Sequence, residues 1–218
     1  MNLHKKVLLI AMLGLTLSAC NKLGSKHVKC ADPTVEPLLK QEVQTQLEKS
    51  LDVNLKELIR NGSIKDLDPA KLKVMAKNLH YRFEDVRTDF IDPDSSKTTC
   101  VISFEATIPA DVLKKADDAR SKFDKESTAA YAFSKSIDLR DTNKVDLNLE
   151  YVLHPTDDGK KVFISLKNFA EVEKLLSETL TYAFVKPQIE KNQIANPATY
   201  IAPIDATSTV EADDYYGE

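Results

Sequence analysis

From Val145 to Leu166 the chain alternates apolar and polar residues with almost no interruption. Val145, Leu147, Leu149, Tyr151 and Leu153 hold every second position, Thr156-Asp157-Asp158-Gly159 supplies turn chemistry, and Val162, Ile164 and Leu166 resume the alternation. Successive side chains of a strand point to opposite faces, so this period of two marks an antiparallel hairpin with one apolar and one wet side. A second pair reads the same way. Tyr81, Phe83, Val86, Thr88 and Phe90 form one alternating set with a one-residue slip after Phe83, the mark of a β-bulge. Asp92-Pro93-Asp94-Ser95-Ser96 makes the turn, and Cys100, Ile102, Phe104, Ala106 and Ile108 run back. An antiparallel sheet of about four strands follows, and its apolar face has to be covered by other elements.

The cover is written in helical periods. Val35, Leu39, Val43, Leu47, Leu51 and Leu55 recur every four residues, with Leu38, Leu58 and Ile59 widening the stripe. Asp32-Pro33 reads as its start and Asn61-Gly62 as its stop. A shorter helix is expected from Asp68-Pro69 through Leu72, Met75 and Leu79, another over Ala110 to about Phe123, and a last one over about Phe169 to Phe184. The expected fold is α+β, a long N-terminal helix and further helices packed on one face of the sheet, within a single domain over residues 32–185. Between Asp124 and Asn143 neither period is clear. After Pro187 the apolar spacing dissolves, Pro197, Pro203 and Gly217 punctuate the chain, and residues 186–218 read as a disordered acidic tail.

The opening is of another kind. Lys5 and Lys6 precede an apolar run from Val7 to Leu17, which ends in Leu17-Ser18-Ala19-Cys20. That order of basic start, short apolar run and small residues is a secretory signal, and the final four residues resemble a bacterial lipoprotein signal. The run is too short to span a bilayer, which takes about 20 apolar residues. The resemblance implies removal of residues 1–19 and acylation of Cys20, a membrane partner held through lipid, and a mature protein of about 199 of the 218 residues. Asn21 stands where an aspartate in such lipoproteins would favour the inner membrane, so the resemblance implies the outer membrane, facing the periplasm or the cell surface. Residues 20–31, with Gly24, Ser25 and several lysines, read as a flexible tether. With Cys20 used by lipid, Cys30 and Cys100 remain as an even pair in an exported protein and are expected to form a disulfide. Free thiols and a metal site with histidine are the rival readings. His27, His80 and His154 are scattered and no CxxC or HxxxH spacing occurs, which argues against zinc.

Chemistry leaves few marks on the rest. A net charge of −4 gives no electrostatic footprint for nucleic acid. There is no GxSxG, HExxH, Walker loop or GxGxxG, and the five glycines leave little backbone to wrap a phosphate. The acid pairs Asp117-Asp118 and Asp157-Asp158 could serve acid/base work or calcium but read first as solvated surface. His80 and His154 each sit at a strand end without a visible nucleophile. No catalytic residue, metal ligand or cofactor is therefore assigned. A cysteine ahead of a long amphipathic helix, a strand pair holding a second cysteine, and a hairpin with Tyr151 ahead of Thr156-Asp157-Asp158-Gly159-Lys160 together resemble small exported lipoproteins of Gram-negative bacteria, over roughly Cys30 to Phe169. That group carries no assigned catalytic residues. The expected function is a non-catalytic binding or accessory module with an envelope protein as partner, the turn Asp157, Asp158 and Gly159 being one surface for it. An envelope hydrolase and a purely structural or assembly role are the alternatives.

Overall fold

The computed structural model describes residues 27–64 and 68–195; the signal, Cys20 and the tail from residue 196 lie outside the described residues. In chain order the elements are α1 (Val35–Arg60), α2 (Pro69–Lys77), β1 (His80–Ile91), β2 (Thr98–Thr107), α3 (Ala110–Ser121), α4 (Thr128–Ser134), β3 (Asp138–Arg140), β4 (Lys144–Pro155), β5 (Val162–Leu166) and α5 (Ala170–Ala195). This is an α+β fold with an antiparallel sheet of five strands.

Strand β4 uses both of its edges. One pairs with β2 along the whole of Thr98–Thr107, and β2 pairs in turn with β1. The other edge is shared, β3 taking Lys144 to Asp146 and β5 taking Tyr151 to Pro155. Between them Asn168 substitutes for a strand: its Oδ1 accepts from the Glu150 amide at 2.9 Å and its Nδ2 donates to the Asn148 carbonyl at 2.8 Å. Cys100, Ile102, Phe104 and Ala106 of β2 and Val145, Leu149, Tyr151 and Leu153 of β4 are buried beneath the helices, as the alternation requires.

All six residues of the α1 stripe, Val35 to Leu55, are buried. Four residues advance a helix by about 400°, so the stripe drifts by about 40° at each step and by about 200° in all. Such a stripe stays dry only if its neighbours change along the helix. Val35 and Leu39 share a crevice with Phe83, Ile102 and Tyr151 of the sheet. Further on, Ser50 Oγ and Asn54 Nδ2 of α1 each donate to Ser177 Oγ of α5 at 3.2 Å, and Lys73 of α2 pairs with Asp52 at 2.8 Å. Helix α5 is enclosed on nearly all sides, burying Leu175, Leu176, Ser177, Thr179, Leu180, Thr181 and Val185.

The disulfide between Cys30 and Cys100 is present, with a Cα–Cα distance of 5.7 Å and a sequence separation of 70. On the chain-entropy account a loop of that length contributes about 4 kcal/mol. The last residues of the expected tether are thereby part of the domain: Cys30 is buried and Val28 packs against the core.

Four further expectations change. The sheet has a fifth strand, β3, and a short helix, α4, both in the stretch where the period is unclear. Helix α1 begins at Val35, not at Pro33, because Asp32 Oδ1 turns to accept from Thr34 N at 2.9 Å and Thr34 Oγ1 at 2.6 Å. Helix α5 does not stop near Phe184; it continues through Pro187 to Ala195, so residues 186–195 belong to the domain and not to the tail. Proline removes one hydrogen bond, but Pro187 is exposed while Val185 and Ile189 beside it are buried, and that burial holds the helix together. Finally, β1 slips twice against β2, between Glu84 and Arg87 as expected and again between Thr88 and Phe90. The second slip moves Phe90 out of the inward set and opposite Thr99 on the wet face, where it is 55 % exposed.

Candidate functional site

With the helices on one face, the other face of the sheet is open. Its side chains come from the polar half of each alternation, and strand pairing sorts them into two ends. At the end where β1 and β4 begin, Arg82 Nη2 meets Glu105 Oε2 at 3.1 Å and Arg140 Nη2 meets the same oxygen at 3.0 Å. Arg140 also forks onto both carboxylate oxygens of Asp146. Glu105, whose side chain is 12 % exposed, is thus the hub of a network across β1, β2, β3 and β4. The network lies in an open basin of about 690 Å³ that extends past Ser103 and Asn148 to Asn168 and Glu171. Six carboxylates line it, Glu84, Asp85, Glu105, Asp138, Asp146 and Glu171, against three cations, Arg82, Lys135 and Arg140. Both arginines are committed to carboxylates, so the unspent charge of the basin is negative. Asp85 stands at the first slip of β1 with φ +54°, a conformation the bulge imposes.

At the other end the open face carries large apolar side chains among Thr99, Ser165 and His154. Phe90, Val152 and Phe163 belong to it by register, Phe163 lying opposite His154. His154 is half-buried, and burial, then Lys97 and Lys167, pull its pKa below the ordinary histidine range.

The residues singled out from sequence are not brought together. His80 opens β1 opposite Thr107, whereas His154 follows the pair of Thr98 and Leu153, so β2's length of roughly 30 Å separates them. A shared reacting atom would need both within hydrogen-bond reach, about 3 Å. The acid pair on α3 is spent on structure. Asp117 Oδ1 accepts from Thr128 N and Thr128 Oγ1, each at 2.7 Å, and Asp118 pairs with Lys186 of α5 at 2.8 Å. The hairpin turn closes mostly on itself. Asp158 accepts from Thr156 Oγ1 at 2.6 Å and Lys160 N at 3.1 Å, which holds its carboxyl below the usual range, and Gly159 takes φ +67° while its amide reaches the Thr156 carbonyl. Asp157 remains exposed.

Sequence reasoning missed Arg120, which is 1 % exposed. Its Nε donates to the Glu126 carbonyl at 2.7 Å, its Nη1 to Glu178 at 3.1 Å, and its guanidinium lies 5.4 Å from the ring centres of both Tyr131 and Tyr182. The signal was available: Arg120 sits one helical turn after Ala116 on the apolar stripe of α3, where a charged residue must find partners inside. Compared with family models, curated proteins and solved structures, the chain matches none.

Among the described residues no group of three or more His, Cys, Asp or Glu is placed to hold a metal ion, and no helix is long and apolar enough to cross a membrane.

Proposed function

We propose that this chain is a lipid-anchored envelope protein of the outer membrane, and that its domain is a non-catalytic binding module. The Leu17 to Cys20 box motivates the anchor. The open, acidic basin around Glu105 motivates the binding role. Helices cover one face of the sheet and leave the other free, and its carboxylates suit a protein partner that offers lysine or arginine, since complementary charge steers encounter and excludes wrong partners. The partner surface belongs to this basin more than to the Asp157–Gly159 turn, whose polar groups are mostly spent within the loop.

Crosslinking and recovery from envelopes with the full-length protein test the reading. A specific partner should be captured, and capture should fail for the rim reversals Glu84→Lys with Asp138→Lys, both exposed. Replacement of Asp157–Gly159 should leave it intact. Loss at the turn instead would move the surface there. Mass measurement of Cys20 decides the anchor: an unmodified thiol, or a Cys20→Ser variant that still fractionates with membranes after signal cleavage, overturns it. Turnover of peptidoglycan, lipid or peptide that disappears on changing His80 or His154 would establish the hydrolase alternative.

A further inference from the structure

The end of the sheet nearest to where the chain arrives from Cys20 is also where its large apolar side chains stand bare. Thr98 pairs with Leu153, so the loops 92–97 and 156–161 project from the same end. Phe90, Ile91 and Phe163 at that end are 55 %, 52 % and 60 % exposed. Phe90 faces outward only because β1 slips a second time after Thr88, and Val152, between the two phenylalanines on that face, is buried. Leaving three large apolar residues bare at one end of the sheet, on its two flanking strands β1 and β5, marks a surface that meets something apolar.

Chain geometry says what that is. The disulfide fixes Cys30 beside Cys100, which lies two residues from the near end of β2 and seven from its far end, about 7 Å and about 23 Å. Ten residues separate Cys20 from Cys30, and fully extended they reach at most about 36 Å. A lipid on Cys20 therefore delivers the near end to the bilayer with slack, whereas the far end could reach it only if most of the segment ran back along the domain. The charge at this end is not basic: Lys97, Lys160 and Lys161 are offset by Asp92, Asp94, Asp157 and Asp158. Attraction to anionic headgroups is not the recognising chemistry; entry of apolar side chains into the interfacial layer is.

We propose that this end of the sheet, led by Phe90, Ile91 and Phe163, rests in the surface layer of the lipid bilayer. The inference builds on the lipid anchor proposed above. It sets the acidic basin at the far end, pointing away from the membrane.

The chain contains no tryptophan, so a single introduced indole reports its surroundings without background. The full-length acylated protein is reconstituted in phosphatidylcholine vesicles as three variants, Phe90→Trp, Phe163→Trp and Phe133→Trp. Phe133, 87 % exposed on α4, serves as the far-end control, because α4 leads into β3 at the start of β4. Phosphatidylcholine with brominated acyl chains should quench the first two several-fold more strongly than the third, and added anionic lipid should not change that ratio. Equal quenching of all three, or none at position 163 while mass measurement shows acylated Cys20, overturns the orientation and leaves the anchor standing. Unmodified Cys20 overturns the anchor, and this inference with it. In native envelope vesicles, a blue-shifted but unquenched emission from Phe163→Trp would mean that a protein covers the site, which also overturns the proposal.

Discussion

The segment ahead of α1 and the pair α3–α4 are fastened to the core by opposite means. Cys30 and Cys100 join the first to β2 with a covalent bond between two small buried side chains. Arg120 joins the second to α5 with a guanidinium enclosed by Tyr131, Tyr182, Glu178 and the Glu126 carbonyl. The disulfide desolvates no charge and acts mainly by restricting the unfolded chain, but it exists only where thiols are oxidised. The arginine works in any redox condition, yet its burial is tolerable only while all its partners are in place. One fastener depends on the compartment and the other on cooperation among several side chains.

Removing the disulfide should have the largest effect. Cys30→Ala with Cys100→Ala, or full reduction, should cost about 4 kcal/mol, a fall in Tm of about 8–16 °C for a domain of this size in a thermal melt. Insensitivity of the melt to reductant would show that the oxidised pair restrains little. Next comes Arg120→Ala, which leaves a cavity and strands Glu178; urea unfolding should show a loss of about 3 kcal/mol. Arg120→Met, which keeps the stem between the two rings, should lose less than the alanine variant, and equal losses would show that packing along the stem contributes nothing. Glu178→Gln keeps a hydrogen-bond acceptor at the position and should cost about 1 kcal/mol. Because the fasteners share no partner, the Arg120→Ala cost should be the same with the disulfide oxidised or reduced, within about 0.5 kcal/mol.

The smallest effect concerns pH. Neither a disulfide nor a guanidinium changes protonation between pH 5 and 8, so a stability change there has to come from other groups. His154 is one, its folded pKa lying below its unfolded value of about 6.5. Between the two values the unfolded chain holds the extra proton, so stability falls as pH drops below about 6.5. His154→Gln should flatten that slope in melts taken from pH 7.5 downward, and an unchanged slope would place the titration elsewhere.

Elements whose burial is set by their own period were readable in advance. The α1 stripe, β2, and the β4–β5 hairpin each repeat one face for long enough that no tertiary contact needs to be known. What escaped depends on contacts made at a distance. The turn joining β3 to β4 places Asp141 and Thr142 at φ +48° and +67°, a type I′ arrangement that glycine or asparagine would have announced. Its conformation is held instead by Asn143, whose carbonyl accepts from the Ile108 amide, whose amide donates to the Arg140 carbonyl, and whose side chain donates to the Ile108 carbonyl. The last turns of α5 depend on neighbours that bury Val185 and Ile189. In the candidate site, Arg82, Glu105 and Asp146 were visible as outward positions, whereas Arg140 falls in the stretch without a clear period, and the convergence of all four follows from strand order, which a single sequence does not state.

The two slips in β1 have a consequence for assembly. As the terminal strand of the sheet among the described residues, β1 carries there a row of amides and carbonyls that no other described strand pairs, along twelve residues, long enough to template another chain. Asp85 and Asp89 interrupt that row at two places, and Arg82, Glu84 and Arg87 add charge along it. A neighbouring molecule seeking to extend the sheet would find no straight stretch of ladder longer than about five residues, less than half of the strand's own length. The lipid anchor proposed above would bring copies together often and in similar orientations, and this interrupted border would then keep neighbours apart as separate molecules.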